Sequence, residues 1–328
     1  MSWLVTGGAG YIGSHVVRTL AGSGRSVVVL DDLSSGHRSF VSEGIPFVQG
    51  TVVDPADVDR ALAEAARCDP RGIVHGVVHL AGFKYAGVSV QQPLHTFEQN
   101  VTGMQMLCAG MLKAGVRNIV FSSSAATYGT PDIDLVTEGT PTNPESPYGQ
   151  SKLAGEWLLH DLGVSDGLKH TSLRYFNVVG SGYPDLYDTS PHNLFPRILA
   201  ALTAGQTPIV FGTDYPTPDG SCIRDYVHVQ DLALAHVAAA EALEQGRSLA
   251  PVYNLGSGEG LSVLQIMESV ARVTGNPFTP ELRERRPGDP ARIVASGRLA
   301  GRDLGWAMRH DLDDMVSSAW HAWTASQR

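Results

Sequence analysis

Lysine is nearly missing from this chain of 328 residues: Lys84, Lys113, Lys152 and Lys169 are the only four among 24 basic side chains. The basic residues are outnumbered by 33 acidic ones, which gives a formal net charge of −9. That balance argues against a nucleic-acid or anionic-membrane surface, which needs clustered positive charge. Cysteine is also scarce. Cys68, Cys108 and Cys222 lie far apart with no C-x-x-C spacing, so neither a disulfide framework nor a thiolate zinc site is expected, and a reducing, cytoplasmic compartment fits. No run of about 20 apolar residues exists, so no membrane span is predicted. The apolar N-terminal stretch lacks a basic flank and is broken by Gly7, Gly8, Gly10 and Gly13, so it is not expected to act as a signal peptide. The twelve histidines include no H-E-x-x-H; His75 and His79 are four apart but near a strand, and no metal site is predicted.

What is abundant is core material, with 43% hydrophobic and 17% charged residues. At about 150 residues per domain the length suits two domains, or one large α/β unit with an appendage. The first half alternates short apolar runs with helical patterns. Strands are predicted at 3–6, 27–30, 47–49, 77–80, 118–122 and 171–176. Helices are predicted at 11–21, 93–114 and 147–162, and another opens at Pro55 behind an Asp54 N-cap and runs to about Arg67. This alternation implies βαβ units and a parallel sheet with helices on both faces. Past residue 177 the rhythm breaks. Residues 180–191 read as a long loop rich in Gly, Pro, Asp and Tyr, of the kind that usually carries function. Short strands at 208–211 and 224–229 and helices at 232–243 and 262–273 follow. The order is a nucleotide-binding domain, then a smaller domain whose segments pass back to the first.

Val5-Thr6-Gly7-Gly8-Ala9-Gly10-Tyr11-Ile12-Gly13 joins the first predicted strand to the first helix. Glycines at 7, 10 and 13 allow a tight turn, close approach of a pyrophosphate and close helix–strand packing, while the helix N-terminus offers free N–H groups. Asp31 ends the second strand 18 residues after Gly13, where an acid can accept from an adenosine ribose. Asp32 follows it. Two carboxylates would repel a 2′-phosphate, which favours NAD over NADP.

Tyr148 and Lys152 are four apart on a predicted helix and so share a face. Ser122-Ser123-Ser124 ends a strand whose C-terminus lines the ligand crevice of a parallel sheet. A hydroxyl, a phenol and an ammonium therefore converge. Taking a proton from a sugar hydroxyl needs a base titrating near the working pH. An ammonium about 4 Å from the phenol at an effective dielectric of about 20 contributes roughly 4 kcal/mol, or about 3 pKa units, enough to bring a tyrosine of ordinary pKa about 10 near neutrality.

Together these motifs resemble the extended short-chain dehydrogenase/reductase superfamily, and within it the UDP-glucose (UDP-galactose) 4-epimerases, over nearly the whole chain. Thr6-Gly7-Gly8-Ala9-Gly10-Tyr11-Ile12-Gly13-Ser14-His15, His79-Leu80-Ala81-Gly82-Phe83-Lys84, Ser89-Val90-Gln91-Gln92-Pro93-Leu94 and Arg174-Tyr175-Phe176-Asn177 carry the likeness. So do the stretch Asp219-Gly220-Ser221-Cys222-Ile223-Arg224-Asp225-Tyr226-Val227-His228-Val229, Tyr253-Asn254-Leu255-Gly256-Ser257-Gly258 and Arg285-Arg286-Pro287-Gly288-Asp289. The resemblance implies a Rossmann-like doubly wound α/β sheet in an NAD-binding domain at 1–176, completed by segments around 224–245. A smaller, discontinuous α/β substrate-binding domain would occupy 177–328. It implies C4 epimerisation of a UDP-hexose through a transient 4-keto sugar, with NAD held tightly and recycled. It also implies a homodimer through a four-helix bundle, for which the helices at 93–114 and 147–162 are candidates; Met104, Leu107, Met111 and Leu112 on the first would face either the partner or the core.

Residue by residue, the implied catalytic set is Ser124, Tyr148 and Lys152. NAD would lie against Gly7, Gly10, Tyr11, Ile12, Gly13, Asp31, Asp32, Ser35, Gly36, Thr51 and Val52. Its remainder would meet Leu80, Ala81, Gly82, Lys84, Asn100, Ser122, Tyr148, Lys152, Tyr175 and Phe176. The UDP-sugar would meet Lys84, Ser124, Tyr148, Phe176, Asn177 and Tyr226, with Asn193, Leu194, Ile209 and Phe211 on its nucleotide. Arg224 and Arg286 would clamp its diphosphate, since a planar guanidinium grips phosphate oxygens in pairs, and Asp289 would hold its ribose. Five departures from the family pattern stand out. Thr51 replaces an acid near adenine, Asp32 stands where asparagine is common, Val178 replaces a proline, the loop at 180–192 differs, and Ile293 takes the place of an aromatic that narrows the sugar pocket. The last points to an alternative, a 4-epimerase of another UDP-sugar such as a UDP-N-acetylhexosamine or UDP-pentose. Ala125-Ala126 after Ser124 argues against a dehydratase, which usually carries an acid there. A non-catalytic NAD-binding protein is the remaining rival, since fold alone does not exclude it.

Overall fold

The computed structural model describes residues 1–286 and 289–327. Pro287 and Gly288 of the predicted arginine motif lie outside the described residues. Six strands of one sheet come in the order expected: β1 (Ser2–Thr6), β2 (Ser26–Asp31), β3 (Phe47–Gln49), β4 (Val74–His79), β5 (Asn118–Ser122) and β6 (Lys169–Tyr175). A seventh strand, Val252–Leu255, joins the free edge of β6. The spatial order is β3-β2-β1-β4-β5-β6-(Val252–Leu255), and every pair is parallel.

Period-two alternation builds a core on each face of this sheet. Trp3, Val5, Val27 and Val29 point to one side, where they meet helices Tyr11–Gly22 and Val229–Glu244 through Val16, Leu20, Leu232 and Ala239. Leu4, Val28 and Leu30 point to the other, against Val58, Leu62, Leu107 and Leu159 of helices Pro55–Arg67, Gly103–Lys113 and Pro147–Asp166. Local chemistry fixes two of these starts. Asp54 accepts from the Ala56 N–H and Ser146 from the Gly149 N–H, each followed by a proline at the first helical position.

The strand order reverses between β1 and β4, so connections leave that point in opposite directions and open a crevice at the strand C-termini. The walls there are close. A Cβ on Gly7, whose φ is +73°, would lie 2.6 Å from the Ala81 nitrogen, and one on Gly13 would lie 2.0 Å from the Gly7 carbonyl oxygen.

The remaining strands form small sheets beside the large one: Asn177–Val179 with Tyr226–His228, Ile209–Phe211 with Glu281–Arg283, and Ile223–Arg224 between Leu261–Ser262 and Arg292–Ile293. Phe195, Ile198, Ile266, Val270 and Met315 of helices Leu194–Thr203, Val263–Thr274 and Leu312–Ser326 form their core.

Three differences from the sequence reading have clear causes. The helix expected at 93–114 is three consecutive segments, Pro93–Phe97, a π-helical Glu98–Thr102 and Gly103–Lys113. Within the π segment, the buried Asn100 side chain bonds both the N–H and the carbonyl of Phe83, at 2.6 and 3.0 Å. The strand expected at 224–229 breaks at Asp225, a fully buried carboxylate that accepts from Ser257 N at 2.8 Å and Ala295 N at 2.9 Å. Met104, Leu107 and Met111 belong to the intrachain core, and Leu112 packs against it. Of the two roles open to these residues, the core is the one they fill.

Candidate active site

A cleft of about 480 Å3 runs along the C-terminal ends of the sheet strands. One end is built by the glycine turn, with Gly7, Gly10, Tyr11, Ile12 and Gly13 on its wall. The end of β2 supplies Asp31, Asp32, Ser35 and Gly36, and the end of β3 supplies Thr51 and Val52. Asp31 accepts from Ala9 N at 2.9 Å and from Leu33 N at 2.8 Å, so its carboxylate braces the turn while each oxygen keeps a further lone pair. Burial pushes its pKa up and Asp32 adds to this, while the backbone hydrogen bonds and the Lys84 ammonium pull it back. Behind Thr51, Asp57 accepts the Thr51 N–H at 2.8 Å.

Leu80, Ala81, Gly82 and Lys84 line the middle, after β4. Lys84 stands exposed on the cleft wall. Desolvation lowers its pKa, and the carboxylates of Asp188 and Asp31 oppose that. Tyr85, His95 and Asp188 complete this part of the wall. Asp188 accepts from Ser190 N at 2.9 Å and from Asn193 Nδ2 at 2.7 Å. The loop at 180–192 thus lays an acid into the cleft that sequence patterning did not single out.

The deep end holds Tyr148, Lys152, Tyr175 and Phe176. Lys152 is buried, and its Nζ donates to the Ser122 carbonyl at 2.9 Å while standing 5.8 Å from the centre of the Tyr148 ring. Desolvation brings its pKa down to about 8, against the opposing pull of Glu156 one helical turn on. Burial also raises the Tyr148 phenol above its ordinary value, and the Ser124 hydroxyl facing it lowers it in part. The lysine effect expected from sequence is not among the causes that set the Tyr148 pKa here; the ammonium is anchored on the Ser122 carbonyl, 5.8 Å from the ring centre. Glu156 is held by Arg174 Nε at 2.9 Å and by Ser123. Its place four residues after Lys152 is the signal that would have found it.

Not every expected residue stands on the cleft wall. Asn100 and Ser122 lie behind it and hold Phe83 and Lys152. Asn177, Asn193, Leu194 and Tyr226 line the cleft, whereas Ile209, Phe211 and Arg224 lie in the small sheets beside it, and Arg286 and Asp289 lie between the strands Glu281–Arg283 and Arg292–Ile293. There the Arg286 guanidinium sits 4.1 Å above the Phe211 ring. Arg224 donates to the Pro290 carbonyl at 2.7 Å and lies 3.7 Å from Asp289. Among the described residues no cluster of potential metal ligands occurs.

A glycine turn at the switch point, an acid ending β2 and a tyrosine paired with a buried lysine define a dinucleotide-dependent enzyme. The chain belongs to the NAD dependent epimerase/dehydratase family, whose sequence pattern matches residues 3–256. It is 41% identical over 324 residues to the UDP-glucose 4-epimerase of Corynebacterium glutamicum, covering 98% of this chain and 95% of that one. Its fold matches the crystal structure of UDP-glucose 4-epimerase from Brucella ovis in complex with NAD, with a TM-score of 0.90, 40% identity and 97% of each chain covered. It also matches the Stenotrophomonas maltophila UDP-glucose-4-epimerase with bound NAD and formylated UDP-arabinopyranose, with a TM-score of 0.91, 39% identity, and 100% and 99% of the two chains covered.

Proposed function

We propose that this chain is an NAD-dependent isomerase that interconverts UDP-galactose and UDP-glucose at C4, with Ser124, Tyr148 and Lys152 as its catalytic residues. The carrying observation is that Tyr148 and Lys152 share one cleft with the glycine turn and Asp31. The cleft fits NAD: Gly7 and Gly13 leave no room for a Cβ, and Asp31 keeps free acceptor sites. When bound there, NAD supplies a hydride acceptor that returns the same hydride. Tyr148, as the phenolate that the Lys152 ammonium steadies, takes the proton of the 4-hydroxyl and becomes a phenol, and Ser124 orients that oxygen. The 4-keto sugar turns in the cleft and presents its other face, and Tyr148 gives the proton back. Arg224 and Arg286 hold the diphosphate, with Phe211 and Asp289 on the uridine. On this reading 1–176 with segments around 224–245 hold NAD, and the rest of 177–328 holds the sugar nucleotide. No helix of the described residues is long and apolar enough to cross a membrane. Cytoplasmic residence is our reading, supported by three unpaired cysteines.

Tyr148→Phe tests the assignment. Turnover of UDP-galactose in a coupled assay for UDP-glucose is expected to fall by about 10²–10⁴-fold or more, the usual worth of a general base, while NAD is retained. Near-normal turnover in the variant would refute it.

Ile293 favours a second substrate. It joins Phe176 in a small apolar cluster with Tyr128, Val136 and Ala295, beside the deep end of the cleft. An aliphatic side chain there leaves more space than an aromatic one, which supports turnover of UDP-N-acetylhexosamines alongside UDP-hexoses. Comparable rates on UDP-GlcNAc and UDP-galactose, with Ile293→Tyr selectively reducing the former, are expected. Undetectable UDP-GlcNAc turnover by the wild-type enzyme would sink this reading.

A further inference from the structure

Ser122 closes β5 behind the cleft and joins three side chains. Its carbonyl holds Lys152. Its hydroxyl lies 3.2 Å from Tyr175 Oη and 2.8 Å from His236 Nε2. The other ring nitrogen of His236, Nδ1, lies 2.9 Å from the Leu232 carbonyl oxygen, within the Val229–Glu244 helix. His236 is fully buried.

These contacts fix every proton along the chain. A carbonyl only accepts, so Nδ1 carries the hydrogen. Burial holds the ring neutral, with a pKa of about 4, so Nε2 is an acceptor. Ser122 has one proton and gives it to Nε2; towards Tyr175 it can then only accept. Tyr175 directs its own proton at Ser122, and burial keeps that phenol protonated. Tyr175 also lines the cleft. With its proton committed to Ser122, the Tyr175 oxygen has only lone pairs left to offer a group bound in the cleft.

We infer that His236, acting through Ser122, fixes Tyr175 as a hydrogen-bond acceptor towards the cleft, so that the site selects a dinucleotide whose head group carries an N–H donor, the carboxamide of nicotinamide. His236 is a positioning residue, since it touches neither the cleft nor a reacting atom. This rests on the reading above, in which Tyr175 faces the cofactor. With the reverse polarity, Tyr175 would present a donor, and the amide would satisfy it only by turning its own carbonyl inward.

The test is the ratio of affinities for NAD and for its 3-acetylpyridine analogue, in which a methyl replaces the amide nitrogen. It is measured on the full-length protein by exchange against labelled NAD. The wild-type protein is expected to prefer NAD by about tenfold, the worth of one hydrogen bond of about 1.4 kcal/mol. Tyr175→Phe should bring the ratio near one. His236→Leu and Ser122→Ala should each bring it within about threefold. A purely structural loss would weaken both ligands alike and leave the ratio in place. If His236→Leu does not fold, Ser122→Ala decides. A wild-type ratio in Tyr175→Phe would overturn the placement of Tyr175 against the cofactor. A ratio lost in Tyr175→Phe but kept in His236→Leu and Ser122→Ala would overturn the relay alone.

Discussion

At the scale of single residues, Lys152 is the side chain on which the others converge. It is one of four lysines in the chain. Two, Lys84 and Lys152, line the cleft, while Lys113 is largely exposed beside Asp59 and Lys169 is exposed. A compact ammonium donates to one carbonyl while standing near a phenol, which a broad guanidinium fork does less well. With a pKa of about 8, Lys152 is charged below that pH and neutral above it. If the ammonium steadies the Tyr148 phenolate, kcat/KM should decline above about pH 8. Glu156 holds the proton on Lys152, so Glu156→Gln removes a charge that favours the ammonium. The alkaline limb of the profile is expected to move to lower pH. The variant also leaves Arg174 without its buried partner, at a cost of about 3–5 kcal/mol, so Tm should fall with it. An alkaline limb that stays put in a folded Glu156→Gln protein would remove Lys152 from the profile.

Among whole elements, the helices Pro93–Phe97 and Pro147–Asp166 turn apolar residues outward together. Leu94 is 87% exposed, Val164 78%, Trp157 61% and Phe97 39%. Trp157 and Val164 are seven apart, two turns on one face of their helix. Proteins associate on surfaces of this kind, and we propose that a second copy meets this one and completes a four-helix bundle. Sedimentation should give a dimer for the wild-type chain and a monomer for Leu94→Glu combined with Trp157→Glu; a dimer that survives both changes would exclude this face. Helix starts were legible where the signal is local: Asp54-Pro55 announces one whatever surrounds it. The seventh sheet strand was not. Val252–Leu255 finds its place only through β6, about 80 residues earlier, and its centre carries Tyr253 and Asn254. The π segment was hidden for a similar reason. Its side-chain pattern is helical, and the distortion accompanies a bond from Asn100 to a backbone 17 residues away. The dinucleotide turn and the Tyr148–Lys152 pair follow from spacing within one element, whereas Asp188, Arg174 and His236 act through contacts that only the folded chain creates.

Across the whole molecule, buried neutral histidines tie the glycine-turn helix, the sheet and the C-terminal segments together. His15 accepts from Gly182 N at 3.0 Å, His79 meets Thr6 Oγ1 at 2.7 Å, and His228 stacks on His310 at 4.0 Å. Desolvation lowers His15, His228 and His236 to about 4 and His79 to about 3, below the ordinary value near 6.5. At these four sites the unfolded chain therefore binds more protons than the folded one as pH falls below 6.5, and their contribution to folding stability falls with it. The sign is fixed: this stability is fully present above about pH 6.5 and is lost progressively towards pH 4. For His236 alone, a gap of about 2.5 pKa units is worth about 3 kcal/mol. Unfolding free energy measured by denaturant titration should be nearly flat from pH 7 to 8 and drop steeply between pH 6.5 and 4. His236→Leu is expected to be less stable at pH 7, because Ser122 loses its acceptor, yet to have a shallower acid limb. Parallel limbs for the two proteins would mean that His236 is protonated in the fold, and the polarity of the Tyr175 chain would fall with it.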